Sequence, residues 1–316
     1  MSLSQAPERA RVLVVGAGAT GGYFGGRLAQ AGRDVTFLVR SARAEQLRSG
    51  GLHLVSPHGD VVLNPQLVQP GAIASSYDVV ILAVKAYSLE AAIADFAPAI
   101  GPDTVIVPFL NGMHHLDALT KHFGETPVLG GVCIVSTTVD EQGRIVQLAG
   151  LQRLVYGERD GTASARVAEL DRVMQGAGFE AASSRAILRD MWQKWVMLAS
   201  LGAANCLLRG TIGEIEAAGG AAIVLALLDE CYSVADASGY PLGNEFLSTT
   251  TALLTAKGSP TASSMYRDLQ ANKPVEVDQI LGDMLARARH VALDVPLLAA
   301  ATTQLSIYQG RLSGEN

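Results

Sequence analysis

The stretch Arg11–Gly26, RVLVVGAGATGGYFGG, constrains this chain more than any other. Arg11–Val15 is a short apolar run rich in β-branched residues and reads as a buried strand. Gly16, Gly18 and Gly21 then give G-x-G-x-x-G, with Ala17, Ala19 and Thr20 between them. Tyr23–Ala31 has helical composition. Strand, glycine turn and helix together are the context in which this pattern holds a dinucleotide. Gly16 permits the tight turn, Gly18 lets the backbone approach a pyrophosphate, and Gly21 lets the helix pack on the strand. The pyrophosphate would rest on the free N–H groups at the helix start, where the helix dipole favours an anion. A glycine-rich turn without a ligand is the alternative.

Gly32 closes the first helix, and Asp34–Val39 reads as a second strand. An acidic residue near the end of that strand binds the ribose 2′-hydroxyl of NAD. Here Arg40 stands there, with Arg43 close behind and no carboxylate. Two guanidinium groups favour a 2′-phosphate, and hence NADP, over their alternative as a solvated helix face. Ala44–Ser49 looks helical, and Leu52–Val55 with Val61–Leu63 look like a hairpin. Asp78–Val84 is a near-continuous apolar run, as expected of a parallel strand covered on both faces. Lys85 follows it, on the edge where such sheets bind ligands; an ordinary surface lysine is its other reading.

Ser88–Ile100 reads as an Ala-rich helix and Thr104–Pro108 as the next strand. Asn111 then lies beyond a strand's carboxyl end, where an amide can donate to one ligand group and accept from another. Asn111-Gly112 is equally a plain tight turn. Val128–Thr138 and Arg144–Leu148 read as a hairpin, Arg153–Gly157 as a further strand, Ala163–Gly176 as a helix and Phe179–Ala182 as the last strand. From about Ser184 the strand-like runs vanish. Helical patterns take over at Ala186–Cys206, Ile212–Ser238, Asn244–Thr255, Ser263–Gln270, Val275–His290 and Pro296–Arg311. The expected architecture is α/β followed by all-α: a Rossmann domain with a mostly parallel sheet over residues 1–183, and a helical substrate domain over 184–316. The cleft between two such domains is the default active site.

Composition removes several classes. Hydrophobic residues are 49% and charged residues 17% of the 316, which fits a packed protein and argues against disorder. The net charge is −6, with no basic patch interleaved with aromatics, so nucleic acid is not an expected partner. Cys133, Cys206 and Cys231 are odd in number and widely spaced, suggesting neither a disulfide framework nor a zinc site but buried thiols in a reducing cytoplasm. No metal is expected. No apolar run reaches about 18 residues, so no membrane span is expected. Residues 1–11 are short, polar and mixed in charge, and read as a disordered tail. The apolar stripes of 212–238 and 275–290 fit either a homodimer face or a core.

In the helical half, Met191-Trp192-Gln193-Lys194-Trp195 and Ser263-Ser264-Met265-Tyr266-Arg267-Asp268, followed by Lys273-Pro274-Val275-Glu276, carry candidate chemistry. Reducing a carbonyl with a nicotinamide needs an acid near the carbonyl oxygen and groups that hold the substrate. Lys194 supplies the acid if burial lowers its pKa, and Ser264 and Glu276 can hold the substrate. Each has a plainer reading. Lys194 can be a surface lysine between two core tryptophans, Glu276 a cap in a helix opened by Pro274, and Ser264 a helix start.

Taken with GAGATGG, Arg40, Lys85-Ala86 and Asn111-Gly112, the W-x-K helix and the downstream S-S-M…D and E-x-D pattern make the chain resemble the ketopantoate reductases (2-dehydropantoate 2-reductases) over nearly its whole length. The resemblance implies Lys194 as general acid, Glu276 on the substrate hydroxyl and Ser264 on its carboxylate. It implies Asn111 on cofactor and substrate, and Arg40 and Lys85 on NADPH phosphates or ribose. The implied reaction is NADPH-dependent reduction of 2-dehydropantoate to (R)-pantoate, towards pantothenate and coenzyme A. The chain departs from the family pattern one and two turns after the lysine, where many members carry asparagine and this one carries Leu198 and Gly202. Asn205 is the nearest amide, roughly 16 Å from Lys194 along a helix axis and too far for a direct bond. A reductase for a different 2-oxo acid is therefore the second reading, and a non-catalytic NADP-binding sensor the third.

Overall fold

A computed structural model describes residues 10–314; the first nine residues of the expected tail lie outside the described residues. Compactness divides the chain into two units. One comprises the described part of Met1–Leu110 with His115–Ile187, and the other Asn111–His114 with Leu188–Asn316.

The first unit runs β1 (Arg11–Val15), α1 (Ala19–Gln30), β2 (Asp34–Leu38), α2 (Ser41–Gly50), β3 (Leu52–Val55), β4 (Val61–Leu63), β5 (Gln66–Val68), β6 (Val79–Leu82), α3 (Leu89–Phe96), β7 (Val105–Pro108), α4 (His114–Phe123), β8 (Gly130–Val139), β9 (Ile145–Gly157), α5 (Ala165–Met174) and β10 (Glu180–Ser183). Strands β5-β2-β1-β6-β7 form a sheet, parallel at every pairing. The order turns back at β1/β6, the point outside which such sheets bind ligands. Central β1 and β6 are buried almost throughout, which is why both read as continuous apolar runs. A second sheet, β10-β9-β3-β4 with β8 on β9, packs beside α1. There the Tyr23 hydroxyl of α1 lies 2.7 and 2.6 Å from the side-chain oxygens of Gln147 and Gln152 on β9.

Helix α1 stops as the sequence suggests. Ala31 is its last cap residue, and Gly32, at φ +78°, follows with its N–H on the Ala29 carbonyl while Arg33 N–H bonds Leu28 O. A side chain at φ > 0 is strained, so glycine fits there.

The second unit is helical: α6 (Ile187–Leu208), α7 (Ile212–Ala217), α8 (Ala221–Ala237), α9 (Asn244–Leu254), α10 (Ser264–Gln270), a π turn at Asp278–Gly282, α11 (Asp283–His290) and α12 (Pro296–Ser313). Trp192 and Trp195 of α6 are among its fully buried side chains, and Tyr240 stacks on Trp192.

Four local expectations change. The helix expected over 212–238 is two, because Gly219 adopts φ +80° and breaks the run. Ile145–Leu148 and Arg153–Gly157 belong to one strand, β9, whose pairing with β8 shifts register between Gln147 and Gln152, so that the residues between them bulge out of the ladder. The helix expected over 88–100 has its α-helical part at Leu89–Phe96, flanked by 3₁₀ turns. Val275–His290 does not run as one α-helix, since the π turn precedes α11. Strand β5 and helix α4 add to the elements legible in the sequence. Cys133, Cys206 and Cys231 are free and buried, and burial pushes the Cys206 and Cys231 thiols up to about 12. Among the described residues no helix is long and apolar enough to cross a membrane.

Candidate functional site

In the first unit the glycine loop is fixed by steric necessity. Gly16 has φ +96°, and a Cβ added there would meet Val84 Cγ1 at 3.2 Å. A Cβ at Gly21 would lie 2.2 Å from Gly16 O and 3.0 Å from Ala83 Cβ. Both contacts press the loop against the end of β6, next to Lys85. Gly18 differs: a Cβ there would meet nothing within 4 Å, and the residue is exposed. Its missing side chain leaves room for something outside the protein, beside the start of α1. That combination fits a dinucleotide pyrophosphate.

Arg40 lies two residues past β2 and is exposed, and Lys85 is exposed beyond β6. The loop itself is tied to β2, since Gly16 N–H bonds Leu38 O at 3.1 Å. Gly16–Gly21, the residues after β2 and the residues after β6 thus share the carboxyl edge of one sheet. Arg43 is placed differently from Arg40. Its Nε donates to Ala17 O at 3.2 Å, and its Nη1 to Gly143 O at 3.0 Å and to the Gln46 side chain. Burial lowers its pKa.

In the second unit the expected residues are held by links around the π turn. Trp195 Nε1, one residue after Lys194, donates to Ile280 O at 2.9 Å. Gly112, at φ +77°, lies against the same turn: a Cβ there would be 2.3 Å from Gln279 O and 3.8 Å from Trp195 Nε1. Glu276 is buried two residues before the turn, and its backbone oxygen accepts from Ile280 N–H at 3.1 Å. The residues flanking Asn111, Lys194 and Glu276 therefore meet at one piece of backbone. A π turn changes the residue register of a helix and often marks a functional site. Lys194 and Asn111 are half-buried.

Ser264 is the first residue of α10, half-buried, with Ser263 as the cap: its Oγ accepts from Tyr266 N–H at 3.1 Å. Ser263 is held in turn by α6, because its N–H donates to Asn205 Oδ1 at 2.8 Å.

Comparison with known proteins gives the same outline. Residues 12–161 match the model of ketopantoate reductase PanE/ApbA, and residues 186–309 match its C-terminal model. The chain belongs to the ketopantoate reductase family. It is 35% identical to the uncharacterized oxidoreductase YkpB of Bacillus subtilis, over 95% of this chain and 99% of that one. It is 28% identical to a 2-dehydropantoate 2-reductase of Mesorhizobium japonicum, over 92% and 95%. Among solved structures, 2-dehydropantoate 2-reductase from Methylococcus capsulatus aligns with a TM-score of 0.84 at 26% identity, covering 96% of this chain and 98% of that one. The protein is an oxidoreductase by these relationships.

Other residues that steady these segments could not be assigned to the candidate site from sequence. Gln309 of α12 accepts from Val275 N–H at 3.0 Å, and the Tyr308 hydroxyl donates to Lys273 O at 2.9 Å. Together they fix the segment that leads into Glu276. Asn205 is fully buried and bridges Ser263 N–H to Gly210 O, the latter at 2.8 Å. At Gly202 a Cβ would fall 2.7 Å from Met265 Cε, so the methionine tip fills the space a side chain would take. Leu198 is half-buried.

Proposed function

We propose that this protein is an NADPH-dependent 2-oxo acid reductase of the cytoplasm, with 2-dehydropantoate as its substrate and (R)-pantoate as product. The observation that carries the reading is the meeting of Gly112, Trp195 and the segment after Glu276 at one turn, in a chain of the ketopantoate reductase family. Bound NADPH supplies the hydride that reduces the keto carbon. Lys194 donates the proton that the carbonyl oxygen gains, the task of a positioned general acid. Glu276 accepts a hydrogen bond from the substrate hydroxyl, Ser264 donates to its carboxylate, and Asn111 serves cofactor and substrate with the two ends of its amide. Gly16, Ala17, Gly18, Ala19, Thr20 and Gly21 cradle the pyrophosphate, Arg40 takes the 2′-phosphate, and Lys85 contacts a phosphate or ribose.

A second reading is favoured by one contact. Met265 sits where a side chain at position 202 would begin, and Leu198 precedes it by one turn. Both of the chain's departures from the family pattern thus replace polar groups with apolar ones, which suits a 2-oxo acid with an apolar side chain. The test is loss of the reduced-nicotinamide absorbance with NADPH or NADH, against 2-dehydropantoate and 2-oxoisovalerate. Preferred turnover of 2-dehydropantoate with NADPH is expected. Preference for 2-oxoisovalerate moves the assignment to the second reading. NADPH binding with no turnover of either keeps the cofactor and moves the search to other 2-oxo acids, and binding without turnover of any 2-oxo acid favours the sensor.

A further inference from the structure

We propose that Arg43 is a positioning residue for the cofactor loop, a clamp that ties the glycine loop to the turn of the β8–β9 hairpin. This rests on the reading that the loop binds a nicotinamide dinucleotide.

Three of the five guanidinium N–H groups are committed to the protein. Nε donates to Ala17 O, which lies between Gly16 and Gly18 of the loop. Nη1 donates to Gly143 O in the hairpin turn and to the side chain of Gln46 on its own helix. A guanidinium is planar and rigid, so two carbonyls bonded to its different nitrogens are fixed relative to each other. Gln46 adds a second link from its Nε2 to Gln142 O at 3.4 Å. The turn fits tightly here: Gly143 is at φ +77°, and a Cβ on it would run into the Gln46 amide.

An apolar contact makes the same connection two residues further along the hairpin. Ile145 opens β9 and is fully buried, and a Cβ added at Gly22 would lie 2.2 Å from its Cδ1. Gly22 directly follows the last glycine of the motif. The turn end of the hairpin therefore grips the loop from both sides, through Arg43 at Ala17 and through Ile145 at Gly22.

The two remaining N–H groups, on Nη2, do not make Arg43 a phosphate ligand. Nη2 is sealed from water and has no partner among the described residues. A surface closed to water is closed to a phosphate oxygen of similar size. Arg40, by contrast, is exposed. The two arginines that the sequence offers together for the 2′-phosphate thus divide: Arg40 faces the cofactor's solvent, and Arg43 braces the loop.

Calorimetric titration of Arg43→Ala, Gln46→Ala, Arg40→Ala and the unmodified protein with NADPH and NADH tests this. Loss of a charged hydrogen bond to the loop is expected to weaken both cofactors alike in Arg43→Ala, by roughly tenfold. The NADPH-to-NADH ratio should stay as in the unmodified protein. The turnover number at saturating NADPH should stay within about twofold while KM for NADPH rises. Gln46→Ala keeps the charge and loosens only the hairpin side, so a smaller loss, again equal for both cofactors, is expected. Arg40→Ala should weaken NADPH alone. Selective loss of NADPH in Arg43→Ala, or unchanged binding of both in Arg43→Ala and Gln46→Ala, overturns the clamp and leaves the cofactor reading standing. An unmodified protein that binds neither cofactor overturns both.

Discussion

In the glycine loop the decisive feature is where side chains are missing, whereas in the helical unit it is which side chains hold other segments still. Gly16 and Gly21 exist because the loop's own backbone and the end of β6 occupy the space a Cβ needs. Lys194, Ser264 and Glu276 sit in segments steadied by groups elsewhere: Trp195 on Ile280 O, Asn205 on Ser263 N–H, and Gln309 on Val275 N–H. The first kind of site carries its reasons within a few residues of itself. The second kind distributes them over the fold. A site for a common cofactor can thus be written as a short motif, while a site for a particular substrate requires a scaffold.

The largest expected effect tests whether the chemistry belongs to the scaffolded region. Lys194→Ala should lower kcat by about 10²–10⁴-fold, the usual worth of a positioned acid, with NADPH affinity unchanged. Turnover close to that of the unmodified enzyme would take Lys194 out of the acid's role. It would also leave the helical unit without an identified reacting group.

The next effect separates two glycines of one motif. Gly21→Ala places a methyl group 2.2 Å from Gly16 O, a backbone atom that cannot turn aside. Overpacking of this kind costs about 1–3 kcal/mol, so both the melting temperature and NADPH binding should fall. Gly18→Ala meets nothing within 4 Å, and its φ of −85° is open to any residue. Its melting temperature should therefore hold while NADPH binding weakens, because the methyl group points into the space the pyrophosphate needs. Equal thermal losses in both variants would show that Gly18 serves the fold and not a ligand.

These glycines also mark how far the sequence could be read. The strand, the turn and the helix of the motif are recognisable because strand burial, φ > 0 and helix start all lie within Arg11–Gly26. Arg43 is recognisable as a cation near the 2′-phosphate position, but its acceptors are Ala17 and Gly143, 26 and 100 residues away. No local pattern reports such a pairing. In the helical unit the helices are legible from periodicity, and so are the polar residues on them. The π turn at Asp278–Gly282 is not, since its sequence DQILG has ordinary helical composition. Asn205 shows the same limit from the other side. Spacing along α6 excludes it as a partner of Lys194, yet only the packed structure shows it holding the cap of α10.

Asn205 gives the third effect. Asn205→Ala removes the acceptor of Ser263 N–H and the donor to Gly210 O in a fully buried position. Unpaired buried groups cost about 1–3 kcal/mol, so the unfolding free energy should fall by that amount and the urea midpoint should fall with it. Because Ser263 caps the helix that Ser264 begins, KM for the 2-oxo acid should rise as well. A drop in stability with an unchanged KM would separate the scaffold from the site.

The smallest effect lies away from both sites and asks whether a strong local ion pair behaves as either region does. Just past β9, the Glu158 carboxylate accepts from Arg166 Nε at 2.6 Å, from Arg166 Nη2 at 2.5 Å and from Ser164 Oγ at 2.5 Å. Ser164 also caps α5 through Val167 N–H, so the carboxylate supports a helix start as well as a charge. The Arg166 guanidinium is the main cause that holds the Glu158 carboxyl below its ordinary range, and Glu158 holds Arg166 above its own. A carboxylate depressed in the folded state stabilises fully above the unfolded glutamate pKa of about 4.3, and that stability is lost as pH falls through the lower folded value. Arg166 is a third exposed, so solvent screening limits the contribution to about 1 kcal/mol despite the paired geometry. Glu158→Gln should therefore lower the urea midpoint at pH 7, and the gap to the unmodified protein should narrow in acid. A gap that stays constant from neutral to acid pH would mean that what the variant loses does not depend on the carboxylate's charge. The bond from Ser164 would then be what steadies α5, and this region too would depend on neighbouring side chains and not on the ion pair.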